Sequence, residues 1–72
     1  MDIQDKINVI EETLEVASNT LKEETSLLSL EEWNSMTILS VMVMLEDDYE
    51  VFVSGTDLKN CKTVADLASL IP

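Results

Sequence analysis

The chain has no histidine and no arginine, and only one cysteine, Cys61. Without an imidazole, neither a Ser-His-Asp nor a Cys-His arrangement can be assembled to activate a nucleophile. A lone cysteine closes no intrachain disulfide and builds no thiolate metal cluster, which fits a reducing compartment, the cytoplasm. Long apolar runs are also missing: the longest, Val41 to Leu45, is far too short to span a bilayer. The start, Met1-Asp2-Ile3-Gln4-Asp5, is acidic and holds no apolar signal core, so neither export nor membrane insertion is expected.

Acid is abundant. Fifteen Asp and Glu residues face only Lys6, Lys22, Lys59 and Lys62, for a formal charge of -11. Such a surface repels nucleic acid, whose binding depends on Lys and Arg, and repels anionic lipid as well. It favours basic partner surfaces reached by steered encounter. The apolar fraction, 46%, is too high for a disordered acidic tail, and the apolar positions are periodic. At 72 residues the chain is expected to be one domain, residues 1–72, and a monomer. Typical per-residue stability allows about 4 to 11 kcal/mol in all, which leaves little margin for a deep pocket.

Ile3, Ile7, Ile10 and Leu14 fall at spacings of four, three and four, one stripe of an amphipathic helix that Asp2 can cap. Asp5, Glu11, Glu12 and Glu15 are assigned to its other faces. The periodicity fades near Ser18-Asn19-Thr20, and a long connection runs to Asn34. Within it, Ser29-Leu30-Glu31-Glu32 has the form of a capping box and predicts a single turn. Leu27, Leu28, Leu30 and Trp33 are expected to fold back over the core. Ser35 to Asp48 reads as a helix about 21 Å long. Tyr49 to Val53 alternates weakly, Thr56 to Lys59 predicts a short helical turn, and Thr63 opens a last helix with the stripe Val64, Leu67, Leu70 and Ile71. The sum is an all-α fold, a small bundle of three longer helices plus a short one, with a long loop between the first two.

Carboxylate pairs are expected by chance on so acidic a surface, and a core this small hardly encloses the low-dielectric cleft a general acid requires. Glu46-Asp47-Asp48 could offer oxygen ligands to a divalent cation, but no D-x-D-x-D-G loop is present to wrap one. At the end of a helix each of these charges opposes the dipole by about 0.3 to 1 kcal/mol, so folding alone would not choose them. A cationic partner would. The Ser35–Asp48 segment also carries two apolar stripes: Ile38, Val41 and Leu45 on one side, Met36, Leu39 and Val43 on another. Either both are buried, or the second is a docking strip with adaptable methionine contact. Asn34 and Ser35 are both good N-cap residues. A hydroxyl at a helix N-terminus is also well placed to bear a phosphate, because the dipole end and free N–H groups tolerate the charge.

These residues together resemble the acyl carrier proteins. That family places a serine, usually within Asp-Ser-Leu, at the start of its second helix; the matching residues are Asn34-Ser35-Met36. The similarity continues through "MTILSVMVMLEDDYEVFV" and "KTVADLASLI" and covers nearly the whole chain. It implies an acyl-carrier-protein-like fold and a chain that is not an enzyme. It also implies a 4'-phosphopantetheine arm, moved from coenzyme A to Ser35 by a phosphopantetheinyl transferase, that holds an acyl or aminoacyl group as a thioester. Partners would be that transferase and enzymes that load and transfer acyl or aminoacyl groups through basic docking surfaces. Asn34, Met36, Leu39, Val43, Glu46, Asp47 and Asp48 would face them. Asn34 stands where aspartate is usual, and Thr37 and Ser40 where acidic or other polar residues are common; Trp33 resembles discrete carriers of specialised pathways. Cys61 is then structural or incidental, since the arm supplies the thiol. The competing reading is an unmodified acidic helical adaptor that docks through Met36, Leu39 and Val43.

Overall fold

Helix α1 spans Ile3–Leu14 in the computed structural model, which describes residues 2–72. Asp2 caps it as expected, its carboxylate accepting the Asp5 N–H at 2.9 Å. Ile7, Ile10 and Leu14 are buried, whereas Ile3, the first residue of the helix, is exposed. Glu15 closes the helix in the left-handed region at φ 59°, where glycine is the usual choice.

Glu11 departs from the expected pattern. It is 1% exposed, with one carboxylate oxygen accepting the Leu21 N–H at 3.0 Å and the other without a partner among the described residues. Across ten residues it thereby ties the start of the long loop to α1. Leu21 is buried beside it.

The loop makes one 3-10 turn at Leu27–Ser29, upstream of the capping box expected at Ser29. The Ser29 hydroxyl donates instead to Ser26 O at 2.9 Å. Leu27 is fully buried and Leu30 and Trp33 pack against the core, but Leu28 is 74% exposed. In a turn this tight, adjacent side chains diverge, so only one of the two leucines reaches inward.

Helix α2 covers Ser35–Tyr49, α3 covers Gly55–Lys59 and α4 covers Val64–Ala68. Capping boxes open all three: Asn34 with Thr37, Ser54 with Asp57, and Thr63 with Asp66. Helix α4 is shorter than its stripe suggests. The chain beyond it closes in tighter bonds, Leu70 N–H to Leu67 O at 3.1 Å and Ile71 N–H to Ala68 O at 3.0 Å. Ile71 is nevertheless buried, with Val64, Leu67 and Ala68.

Helix α1 packs on α2 and α4, and α2 on α3. The loop finishes the bundle by pairing with the start of α4: Leu27 N–H donates to Lys62 O at 2.9 Å, Val64 N–H to Thr25 O at 3.0 Å, and Ala65 N–H to Glu23 O at 2.9 Å. Two N–H groups of the first α4 turn, which no intrahelical partner can reach, are satisfied in this way.

Candidate functional site

Ser35 is the first residue of α2 and is exposed. It does not cap the helix. Asn34 does, with Oδ1 accepting Met36 N–H at 3.0 Å and Thr37 N–H at 3.2 Å. Its amide nitrogen donates to Glu31 O at 3.2 Å, a bond a carboxylate could not make. Thr37 completes the box by accepting Asn34 N–H at 3.0 Å through Oγ1, which also donates to Glu32 O. Asn34 and Thr37 thus fix the start of the helix between them, and the serine hydroxyl is released from that duty. One part of the sequence reading changes: two of the N–H groups expected to receive a phosphate are already held by Asn34. What favours a phosphodiester on Ser35 is therefore the dipole of a 15-residue helix and open solvent, not free N–H groups.

The two stripes of α2 separate cleanly. Ile38, Val41 and Leu45 are buried, while Met36, Leu39 and Val43 are 80%, 57% and 48% exposed. The helix is not buried on both sides, so the second stripe is an open apolar strip that begins directly after Ser35. Glu46 and Asp47, both exposed, bracket its far end. Asp48 is exposed too but lies about 140° around the helix from Val43, counting 3.6 residues per turn. The sequence reading missed Glu50. It is exposed, follows the helix at φ 56°, and continues the line of the strip. A non-glycine residue in that region costs about 1 kcal/mol or more, and a negative charge at this helix end costs further.

Among the described residues no group of three carboxylate, histidine or cysteine side chains is placed to hold a metal ion. An open groove lined by Asn8, Glu12, Glu15, Val16, Ser18 and Asn19 lies at the end of α1 and includes none of the α2 residues. Cys61 is buried, and its thiol donates to Asp57 O at 3.7 Å. Burial pushes its pKa up, and the negative charges of Asp66 and Asp57 push the same way. Such a thiol is a poor nucleophile at neutral pH. Asp66, at the α4 cap, is held below the usual carboxylate range, chiefly by the N–H of Lys62 and then by that of Thr63.

A family described as "Phosphopantetheine attachment site" matches residues 7–71. The chain belongs to that family. It is accordingly a carrier of the acyl carrier protein type, bearing covalently attached 4'-phosphopantetheine, and an unmodified adaptor is not favoured. Its fold is similar to that of holo acyl carrier protein from Geobacter metallireducens, solved by solution NMR, at a TM-score of 0.71 and 30% identity. The alignment covers 97% of this chain and 82% of that one. No curated protein matches the sequence. Carriers of this family are generally not catalysts, and they work with biosynthetic enzymes. Among the described residues no helix of this carrier is long and apolar enough to cross a membrane. The residues around Ser35 fit the prosthetic group: the serine is exposed, stands at the positive end of α2, and is followed by an apolar strip.

Proposed function

We propose that Ser35 bears the arm and that residues 1–72 act as one carrier domain that performs no reaction of its own. The observation that supports it most is an exposed serine at the head of α2 that Asn34 relieves of capping. In loading, the Ser35 oxygen forms a new bond to the pantetheine-side phosphorus of coenzyme A. The phosphoanhydride bond breaks, adenosine 3',5'-bisphosphate leaves, and the hydroxyl proton passes to a base. That base is assigned to the transferase. When attached, the arm supplies a thiol that holds an acyl or aminoacyl group as a thioester.

The carrier's residues then serve recognition. Met36, Leu39 and Val43 give partner enzymes an apolar landing strip, and Glu46 and Asp47, with Asp48 further round, match Lys and Arg on those enzymes. Asn34 acts through the geometry of the first turn. A surface of charge -11 gives such partners fast, salt-sensitive association. The lone buried cysteine suits a cytoplasmic carrier.

Intact mass after incubation with coenzyme A and a broad-specificity phosphopantetheinyl transferase tests the assignment. One phosphopantetheine should be added to the wild type and none to Ser35→Ala. An unmodified wild type, or an increment that survives Ser35→Ala, would end it.

A further inference from the structure

Phe52 is 75% exposed, although it is one of only three aromatic residues in the chain. Its neighbours Val51 and Val53 are half-buried against the core. Extended backbone sends successive side chains to opposite sides, so with the valines turned inward the ring is turned out. The segment that carries it is pinned to α2. Val51 N–H donates to Leu45 O at 2.9 Å, and a Cβ built on Gly55 would lie 3.5 Å from the Met42 terminal methyl. Phe52 therefore lies beside the C-terminal turns of α2. Met42 stands about 60° around the helix from Leu39, on the border between the buried stripe and the exposed strip. The segment thus runs past the Met42 edge of the exposed strip.

Exposed carboxylates border this patch: Glu46, Asp47 and Glu50, the last held at a positive φ that a glycine would adopt more readily. A second copy of the chain, equally acidic, would be repelled from it. A surface with an apolar pocket rimmed by Lys or Arg would be attracted.

We infer that Phe52 is a docking anchor for the phosphopantetheinyl transferase, its ring entering a cation-rimmed apolar pocket on that enzyme. The inference rests on Ser35 as the attachment point. Before loading there is no arm, so the transferase has to bring its phosphorus to the bare serine oxygen and must lie against α2 itself. Enzymes acting later reach the thioester through the length of the arm. A standard interface covers about 800 Å² on each partner, a disc about 16 Å in radius. The last turn of α2, at Tyr49, lies about 21 Å along the helix from Ser35, within the roughly 32 Å breadth of such a disc, so one footprint takes in both Ser35 and Phe52. An aromatic ring at such a place, flanked by matching charge, has the character of an interface hot spot.

Initial rates of arm transfer, followed by intact mass with a broad-specificity phosphopantetheinyl transferase and varied apo carrier, test this. For Phe52→Ala the KM for the carrier should rise about tenfold or more while kcat stays within about twofold. Phe52→Leu should recover most of the loss. The melting temperature should not fall, because the ring is exposed. A wild type that accepts the arm while Phe52→Ala keeps its KM within about twofold overturns the anchor alone. A wild type that accepts no arm overturns the reading at Ser35 and this one with it.

Discussion

Replacing Asn34 by alanine removes the two acceptor contacts to Met36 N–H and Thr37 N–H and the donor contact to Glu31 O in one step. Loss of a side-chain N-cap costs typically about 1 kcal/mol, within a range of about 0.5 to 2. The Glu31 contact is exposed and adds at the lower end of a net hydrogen bond, about 0.5 kcal/mol. Against a whole-domain stability of about 4 to 11 kcal/mol this is a substantial fraction. In a domain this size 1 kcal/mol moves the melting temperature by about 4 to 8 °C, so Asn34→Ala should melt about 6 to 12 °C lower. Asn34→Asp keeps both acceptor contacts and gains about 0.3 to 1 kcal/mol from the dipole, but loses the Glu31 contact and sets a third charge beside Glu31 and Glu32. It should melt within about 4 °C of wild type. Because Ser35 is the next residue, a frayed first turn also misplaces its hydroxyl. Arm transfer to Asn34→Ala should slow even well below its melting temperature, while Asn34→Asp stays near wild type. Circular dichroism melts and mass-followed transfer read both effects. An Asn34→Ala protein that melts with wild type, or an Asn34→Asp protein as unstable as the alanine variant, would refute the capping argument.

Glu11→Met should cost about 1 to 3 kcal/mol, because the buried Leu21 N–H loses its acceptor, whereas Glu11→Gln keeps one and should lose less; equal thermal melts for the two variants would contradict this. Asp66 binds its proton less readily in the fold than when unfolded. Its contribution is therefore complete above its unfolded value near ~3.9 and is lost as pH falls through the lower folded value. The stability gap between wild type and Asp66→Asn should stay constant above about pH 5 and close below about pH 4; a gap independent of pH in melts from neutral to acid would count against it. Cys61 should resist iodoacetamide at neutral pH while the arm thiol reacts, so mass spectrometry should find no adduct on the apo carrier and one on the loaded carrier; rapid labelling of the apo form would show the burial to be wrong.

The sequence carried the helices well where a side-chain period repeats. The core faces of α1 and α2 are the stripes Ile7-Ile10-Leu14 and Ile38-Val41-Leu45, and the second α2 stripe was visible as a surplus of apolar positions. What it could not show depends on the chain returning from a distance. Glu11 is a glutamate on an amphipathic helix, ordinarily solvated, and only the loop folding over it makes it an interior group. Leu27 and Leu28 are indistinguishable until the turn decides which one faces in. Around α2, the place of Ser35 at the head of the helix and the separation of the two stripes were legible because motif and spacing are local. The exposure of Phe52 and Glu50 was not: it depends on how the chain packs after α2, and the local signal was a weak alternation across Tyr49 to Val53.

The Asn34 cap has one further implication. Every group that fixes the first turn of α2, the Asn34 amide, the Thr37 hydroxyl and the carbonyls of Glu31 and Glu32, is neutral and does not titrate. The α4 cap, by contrast, depends on an ionised Asp66. Acidification below about pH 4 would loosen α4 while the first turn of α2 kept its bonds. A strongly acidic solution should thus disturb the α4 end of the bundle before it disturbs the turn that holds Ser35.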